Sequence, residues 1–303
     1  MLQQLVNGIT QGSLYALIAL GFTLFFGVLQ IIKFAQGDVY MVGAFASLIV
    51  LNALNASGWG NLPYPFTLLI ALLAAIITCG TLGILLERLV LRRLRKAPHL
   101  TSLVAMLGCA IILREAVFLL YPNGANPQSF PAILPATSFM IGGVIVQNTQ
   151  IFIVLLALIL MLALHLLVTH TRFGRGMRAI AQNAEMAEAM GVNINVVIAV
   201  TFFIGSALGG IAGLMSGMYY SSIQFDMGFI AGIKGFTAAV LGGLGNIYGA
   251  LVGAYLLAFL EVFGTIAIPN GSQYRDVFAF GLLVVFLVVR PEGIFGRPIA
   301  EKV

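Results

Sequence analysis

Apolar runs long enough to cross a lipid bilayer as helices constrain the fold of this 303-residue chain more than any other feature. A transmembrane helix needs about 20 consecutive apolar residues. Runs of that kind lie at about 5–29, 38–56, 64–90, 100–121, 149–170, 194–220, 247–267 and 273–290. A further segment, 229–245, is apolar but short and rich in glycine, so it is either a ninth span or a re-entrant segment. We therefore expect an all-α, polytopic membrane protein with about eight or nine transmembrane helices.

The composition excludes the soluble alternatives. Hydrophobic residues make up 60% of the chain, whereas Lys, Arg, Asp and Glu together make up only 8%. A soluble domain carries about 25% charged residues, and it needs polar surface to cover its core. A disordered chain requires low hydrophobicity, which this chain does not have. Cys79 and Cys109 lie inside apolar runs, so we expect two buried free thiols and no disulfide framework.

Basic residues predict how the chain is oriented. They form three clusters: Arg88, Arg92, Arg93, Arg95 and Lys96; Arg172, Arg175 and Arg178; and Arg290, Arg297 and Lys302. The positive-inside rule places all three in the cytoplasm. Nine spans place all three clusters in the cytoplasm, with an outside N-terminus and a cytoplasmic C-terminus, whereas eight spans do not. The N-terminus has no basic residues before its apolar run, so we expect a retained first span rather than a cleaved signal peptide.

We expect one transmembrane domain over residues 1–303, with two notable connections. The outer one, about 122–148, carries no charge and contains Pro122, Pro127, Pro131 and Pro135, which predicts an irregular loop. This loop is either a plain connector or a cover over a channel mouth that meets an outside partner. A short internal echo is also present, since Gly21-Phe22-Thr23 before Gly37 resembles Gly235-Phe236-Thr237 before Gly245. Such an echo arises from a structural repeat or by chance.

Motifs for catalysis are missing from the sequence. None of the four lysines follows a glycine, so the chain has no Gly-x-x-x-x-Gly-Lys phosphate loop and is not expected to hydrolyse ATP. The histidines, His99, His165 and His170, have no cysteine or carboxylate at ligand spacing, so we expect no metal site.

Small residues recur at helical spacing in two of the apolar runs. Gly205, Gly209, Gly213 and Gly217 are four apart, and Gly245, Gly249 and Gly253 repeat the pattern beside Ala250, Ala254 and Ala258. Residues four apart share a helix face and allow two backbones to approach closely. The pattern indicates helix packing, and it is also compatible with a sliding surface along a transport pathway.

Charges inside apolar runs are costly and are often functional. Asp38, Lys234 and Glu261 are such charges, and Lys33 with Asp38 flanks the break between the first two spans. Each is either a pathway residue or an interfacial residue that reaches water. The candidate pathway residues are Asp38, Gly43, Lys234, Gly242, Gly243 and Gly245. The neighbours Arg114-Glu115 and Arg275-Asp276 are interpreted as locally neutralised pairs.

The segment 171–193 is the strongest local signal. Residues from Ala179 to Met190 are rich in good helix formers, and Gly191 fits the position just after a helix end. We expect a short amphipathic helix on the cytoplasmic face. It either rests on lipid headgroups or docks a cytoplasmic motor.

Several motifs together resemble one transporter family. Glu185-x-Ala187-x-x-x-Gly191 is similar to the Glu-Ala-Ala-x-x-x-Gly coupling motif of ATP-binding cassette (ABC) importer permeases, with Met186 as a departure. The segments 7–17, 34–43, 234–245 and 291–298 resemble the branched-chain amino acid permeases of the LivH type. The resemblance runs almost from end to end, with variable parts near 52–63 and 122–148.

The resemblance implies a role and a set of partners. The chain would be the permease subunit of a binding-protein-dependent importer of leucine, isoleucine and valine, in a bacterial cytoplasmic membrane. Its partners would be a second homologous permease, two cytoplasmic ATPases that bind ATP and Mg²⁺, and an outside binding protein. The chain itself would hold no cofactor and would not be an enzyme. The ATPase contact would fall on Arg172, Gly174, Arg178, Ala179, Glu185, Ala187, Glu188 and Gly191.

Alternatives remain open at this point. A member of the same family could move urea, short amides or other neutral amino acids. A stand-alone secondary transporter would need a coupling-ion site, for which Asp38 and Glu261 are the candidates. A receptor or a structural membrane protein fits the glycine-rich broken segments poorly.

Overall fold

The chain is described by a computed structural model over residues 1–58, 62–95, 97–135, 137–141, 143–267, 271–290 and 293–296. Of the predicted basic clusters, Lys96, Arg297 and Lys302 lie outside the described residues, as does half of the 291–298 motif. The helices are α1 (Leu2–Leu29), α2 (Gln36–Ala56), α3 (Tyr64–Leu86), α4 (Arg92–Leu94), α5 (His99–Leu120), α6 (Asn148–His170), α7 (Arg172–Gln182), α8 (Ala184–Ala189), α9 (Ile194–Tyr220), α10 (Met227–Gly242), α11 (Ile247–Ala267) and α12 (Arg275–Val289). A π-helical turn, Glu87–Leu91, joins α3 to α4, and a 3₁₀ turn, Gly271–Tyr274, precedes α12.

Each predicted apolar run forms a helix, which confirms the all-α, polytopic class. Within the described part of the chain, seven helices are long and apolar enough to cross a membrane: α1, α2, α3 with its extension to Leu94, α5, α6, α9 and α11. The glycine-rich segment forms α10, which has 16 residues. At 1.5 Å per residue α10 is about 24 Å long, less than the roughly 30 Å of a hydrocarbon core.

The bundle has two distinct ends. The loop end carries residues 122–148, and the Gln3 side chain there exchanges hydrogen bonds of 3.0 Å with the backbone of Ile145. The α7 end carries α7 and α8, and there the Arg95 side chain donates to Asn195 at 2.8 Å. The chain returns from the loop end towards the α7 end through α10, because a Cβ on Gly27, near the end of α1, would lie 3.5 Å from the Cα of Gly245, just after α10. The end of α12 meets the same turn, since Ile294 and Phe295 hydrogen-bond Leu241 and Gly242 at 2.9 and 3.0 Å.

Burial separates central helices from peripheral ones. The most apolar window of α1 is 83% buried and that of α9 is 72% buried, against 11% for α5 and 22% for α6. The peripheral helices expose leucine and isoleucine, as lipid-facing helices do. The connection from α1 to α2 turns into the bundle, because Lys33 and Ala35 within it are fully buried. Cys79 is buried as predicted, whereas Cys109 is only half-buried.

The connection 122–148 is more ordered than an irregular loop. Strand β1 (Gln128–Ser129) pairs antiparallel with β4 (Ser222–Ile223), which lies between α9 and α10. Strands β2 (Ser138–Ile141) and β3 (Val144–Gln147) form an antiparallel hairpin in which Ser138 pairs with Gln147. Gly143 adopts a φ of +81° in the turn, a conformation that glycine adopts without steric cost.

The glycines at helical spacing lie where helices approach most closely. A Cβ added to Gly213 of α9 would meet the Tyr40 carbonyl oxygen of α2, and one added to Gly205 would lie 2.6 Å from the Phe25 ring of α1. Gly249 and Gly253 of α11 face the backbone of α10 in the same way. Gly209 faces the Gln36 side chain and Gly217 faces the Phe130 ring, both at distances that leave no room for a methyl group. The stripes therefore pack α9 against α1 and α2, and α11 against α10.

Candidate functional site

The segment after α6 folds back against the bundle in a tight turn. The Thr171 hydroxyl accepts a hydrogen bond of 3.1 Å from the Gly174 amide and so caps α7. A side chain at Gly174 would collide with the carbonyl of Val168. Met177 and Ile180 of α7 are buried against the bundle, whereas Arg172 and Arg175 are exposed. The segment thus holds α7 firmly on the membrane helices.

The predicted single helix over 179–190 is two helices. Asn183 is extended, with φ −159°, and its side chain accepts a hydrogen bond of 3.0 Å from the Met186 amide, which starts α8 anew. Because Asn is a strong N-cap residue, this local bond competes with continuation of α7. Ala187 of α8 is buried, and Glu185 and Glu188 are exposed.

Gly191 closes α8 at the position that the sequence predicts. Its φ is +84°, its amide bonds the Glu188 carbonyl at 2.9 Å, and the next amide, Val192, bonds Ala187 at 3.0 Å. This pair of bonds is a Schellman motif, which requires a left-handed residue at its centre. A Cβ at Gly191 would meet no atom within 4 Å, so backbone conformation rather than space explains the glycine.

Two predictions about this segment change in the structure. Arg178, predicted to face a partner, donates to the carbonyl of Val168 and so satisfies the end of α6, although it is still exposed. Met186, the departure from the coupling motif, is 70% exposed, and Met190 one turn later is 87% exposed. Two exposed methionines four residues apart share one face of the chain. The sequence prediction did not include this apolar face, because it treated Met186 only as a departure from the coupling motif.

Lys234 and Glu261 are the centre of a buried charge network. The Lys234 amino group lies 2.9 Å from Glu261 Oε1 and 2.7 Å from Asp276 Oδ1, and Arg275 Nε lies 3.2 Å from Glu261 Oε2. Two groups of α1 complete it, since the Tyr15 hydroxyl donates to Glu261 at 2.8 Å and the Gln11 amide does so at 2.5 Å. Four helices, α1, α10, α11 and α12, are therefore joined by charge-assisted hydrogen bonds.

The adjacent charges do not neutralise each other as predicted. Arg114 pairs with Asp38 of α2 at 3.2 Å, not with Glu115, and Arg275 pairs with Glu261, not with Asp276. Side chains one position apart on a helix point in different directions, so they cannot meet. Asp38 is 3% exposed and Arg114 is 22% exposed, which places this pair between α2 and α5 near the bundle surface.

Lys33 is a fully buried charge at the break between α1 and α2. Its amino group donates to Ser206 Oγ at 2.6 Å and to Gln36 Oε1 at 3.4 Å, and it lies 4.6 Å from the centroid of the Phe25 ring. Within the described residues no carboxylate lies within 4.0 Å of it. A hydroxyl, an amide and an aromatic face thus hold the ammonium at the break between α1 and α2.

Four of the predicted pathway residues are glycines at backbone contacts. Gly43 of α2 lies against Gly210 of α9, and Gly242 lies against Gly249. Gly243 and Gly245 form the turn between α10 and α11, with φ of +104° and +88°. These positions explain why glycine is present, and they place the residues at helix contacts.

A cavity of about 440 Å³ lies beside the Lys234 network. Its lining combines hydroxyls and an amide with three charges and an apolar strip: Tyr15, Tyr40, Ser216, Tyr220, Ser222, Gln224, Asp226, Met227, Ile230, Ala231, Lys234 and Arg275. Among the six predicted pathway residues, Lys234 alone lines it. A second cavity, of about 310 Å³ under the β2–β3 hairpin, has no charged residue in its lining.

The echo of two Gly-Phe-Thr triplets has a structural counterpart. Phe22 and Phe236, the central residues of the triplets, meet edge to face with ring centroids 5.8 Å apart. Each triplet precedes a break, after Leu29 in one case and after Gly242 in the other. The two triplets thus meet inside the bundle, each a few residues before the end of its helix.

Comparison with known proteins gives matches along nearly the whole chain. A family model described as the permease component of branched-chain amino acid transport systems matches residues 4–287. The chain is 43% identical over 307 residues to BraD, a high-affinity branched-chain amino acid transport permease of Pseudomonas aeruginosa, covering 100% of this chain and 98% of that protein. It is 37% identical over 313 residues to LivH of Escherichia coli strain K12, covering 100% and 97%. It is 26% identical over 297 residues to the ribose import permease RbsC of the same strain, covering 95% and 83%.

Proposed function

Because the chain belongs to the family of permease components of branched-chain amino acid transport systems, we propose that it forms the membrane path of an ATP-driven importer of leucine, isoleucine and valine. The full-length identity to BraD and LivH carries this proposal. The lower identity to a ribose permease indicates that the scaffold serves several substrates. The amino acid relatives match this chain more closely, so branched-chain amino acids are its proposed cargo.

The α7 end is the proposed docking surface for the ATPases. Glu185, Met186 and Glu188 of α8 are exposed together with Met190 just after it, while α7 is held on α1, α6 and α9. Exposed methionines are flexible apolar groups suited to an interface, and the two carboxylates would meet basic groups. ATP and Mg²⁺ would bind to two cytoplasmic ATPase subunits, while this chain transmits their motion.

The orientation of the chain follows from its basic residues. Arg92 and Arg93 of α4, Arg172 and Arg175 of α7, and Arg290 after α12 belong to elements at the α7 end, so the positive-inside rule assigns that end to the cytoplasm. The C-terminal segment 293–296 packs at the same end, which favours a cytoplasmic C-terminus. The loop end would then face outside, where a substrate-binding protein would deliver the amino acid. A second, homologous permease would complete the membrane part.

Transport needs a change in the relative stability of two arrangements of the bundle. Closure of the ATPases on ATP would move α8 and, through α7, shift α1, α6 and α9. A ligand shifts such an equilibrium only by its differential affinity for the two states. Nucleotide binding would supply that difference, and the glycine contacts of α9 would allow the helices to move against each other.

Purification and reconstitution test this function. The chain is isolated from its native membrane in mild detergent, and the subunits that accompany it are identified by mass spectrometry. The complex is then placed in proteoliposomes, and uptake of labelled leucine is measured with the binding protein, with and without ATP. We expect an ATPase and a second permease in the complex, and uptake that requires both ATP and the binding protein. Isolation of the chain alone, with uptake driven by an ion gradient, would establish a secondary transporter instead.

A further inference from the structure

The cavity beside Lys234 has the size and the lining of a small-molecule site. Its volume of about 440 Å³ falls in the range of roughly 300–1,000 Å³ that ligand pockets occupy. Residues of α1, α2, α9, α10 and α12 line it together with the connection between α9 and α10, and it opens outward there, where Ser222, Gln224 and Asp226 are exposed. Polar and charged groups inside a membrane bundle are expensive, and they mark the paths of substrates.

Charges of both signs converge on this cavity. Asp226 precedes α10 at the exposed mouth of the cavity and makes no capping hydrogen bond. Within the described residues no cationic group lies within 4.0 Å of it. Arg275 uses Nε on Glu261 at 3.2 Å, and a guanidinium has four further N–H donors. Lys234 stands on the same wall, fixed by Glu261 and Asp276.

An apolar strip accompanies the charges. Met227, Ile230, Ala231 and Lys234 stand at positions i, i+3, i+4 and i+7 along α10, so their side chains share one helix face. The cavity therefore offers a carboxylate partner, an ammonium partner and an apolar surface together. Neither a sugar nor a simple fatty acid would supply a cationic partner for Asp226.

We propose that this cavity binds the zwitterion of an apolar α-amino acid, with Arg275 and Lys234 receiving its carboxylate, Asp226 its ammonium group, and Met227 and Ile230 its side chain. This inference rests on the proposed function for the substrate class. It assigns to the permease a substrate site of its own, in addition to the one on the binding protein. Zwitterions would then be selected twice, first by the binding protein and then by this cavity of the permease.

Direct binding tests the site independently of transport. The purified permease complex, with its co-purifying subunits but without the binding protein, is titrated with labelled leucine in a scintillation proximity assay. Leucinamide lacks the carboxylate and 4-methylpentanoate lacks the ammonium group. We expect saturable leucine binding, and we expect each analogue to compete at least about tenfold more weakly, since each loses a charge-assisted hydrogen bond.

Substitutions inside and outside the cavity test whether leucine binds there. Asp226→Asn is expected to weaken leucine binding about tenfold and to abolish the preference for leucine over 4-methylpentanoate, because the ammonium partner is lost. Glu115→Gln, at an exposed position of α5 outside the cavity, is the matched control and should change neither quantity. Elution of each variant at the wild-type volume in size-exclusion chromatography checks its folding.

The outcomes separate this inference from the proposed function. Absence of saturable leucine binding, or an Asp226→Asn variant with unchanged affinity and preference, overturns the cavity site even if the wild-type complex imports leucine normally. Leucine binding that depends on Asp226 in a complex without ATP-driven uptake supports the site and contradicts the proposed function.

Discussion

Individual residues in this protein are explained by two different constraints, backbone conformation and charge pairing. Gly191 has a left-handed backbone in open space, so the Schellman motif alone demands glycine there. Glu261 is fully buried and is stabilised by Lys234, Arg275, Tyr15 and Gln11. A carboxylate in that position would be too costly without such partners. Both constraints act over a few ångströms, and only the first is visible in the local sequence.

Substitution of Gly191 should uncouple ATP hydrolysis from transport. Gly191→Val forces a β-branched residue into the left-handed region at a cost of about 1–2 kcal/mol, so the end of α8 should rearrange. We expect more ATP hydrolysed per leucine imported in proteoliposomes, with assembly of the complex intact. Gly191→Asn is the control, since Asn tolerates this conformation. An unchanged ratio for Gly191→Val would contradict a coupling role for α8.

Helices in this bundle are positioned by close backbone contacts as much as by apolar volume. Gly205, Gly209 and Gly213 bring the backbone of α9 against α1 and α2. Gly249 and Gly253 do the same for α11 against α10. Lipid is as apolar as leucine, so close packing rather than hydrophobicity stabilises helix pairs in a membrane. The middle of the short helix α10 is thereby buried against its neighbours, from Ala231 to Gly242, whereas Phe229 and Ile230 near its start are exposed.

Replacement of glycine by alanine should lower the Tm where the glycine packs against another helix, and should not lower it where the glycine meets no neighbour. In Gly213→Ala the new Cβ meets the Tyr40 carbonyl and lies 3.0 Å from the Ala44 amide nitrogen, so α9 and α2 must separate. Overpacking of this kind costs about 1–3 kcal/mol, and we expect a lower Tm of the purified protein. Gly108→Ala on α5, where a Cβ meets nothing within 4 Å, should keep or raise the Tm. Equal Tm values for the two variants would show that the α9–α2 contact is loose.

At the scale of the whole molecule, the two ends of the bundle differ in their charge and in their secondary structure. The α7 end carries arginines and short helices, while the loop end carries uncharged strands that cover the helix ends. The cavity lies beneath the segment between α9 and α10 and reaches inward as far as Lys234. The molecule therefore presents a basic face at the α7 end, uncharged strands with the exposed Asp226 at the loop end, and a polar cavity that opens beside Asp226.

Labelling of engineered cysteines tests the orientation of the whole chain. Met140→Cys lies on the exposed hairpin of the loop end, and Glu188→Cys lies on exposed α8. We expect a membrane-impermeant maleimide to label Met140→Cys in intact cells and Glu188→Cys only after permeabilisation. The parent protein, with Cys79 and Cys109, measures background labelling. The reverse pattern would place α7 and α8 outside and exclude ATPase docking there.

The sequence alone determined the all-α class, the position of each apolar helix, the glycine stripes and the end of α8 at Gly191. These features depend on hydropathy and backbone preference within one segment, which a local pattern records. Tertiary structure decided the ion partners of Arg114 and Arg275, the burial of Lys33, the return of the chain through α10 and the cavity. Glu261 and its partner Gln11 are 250 residues apart in the chain, so no local pattern connects them. Only packing of the helices brings such groups together, because the cost of a buried charge is met by whichever partner the fold places beside it.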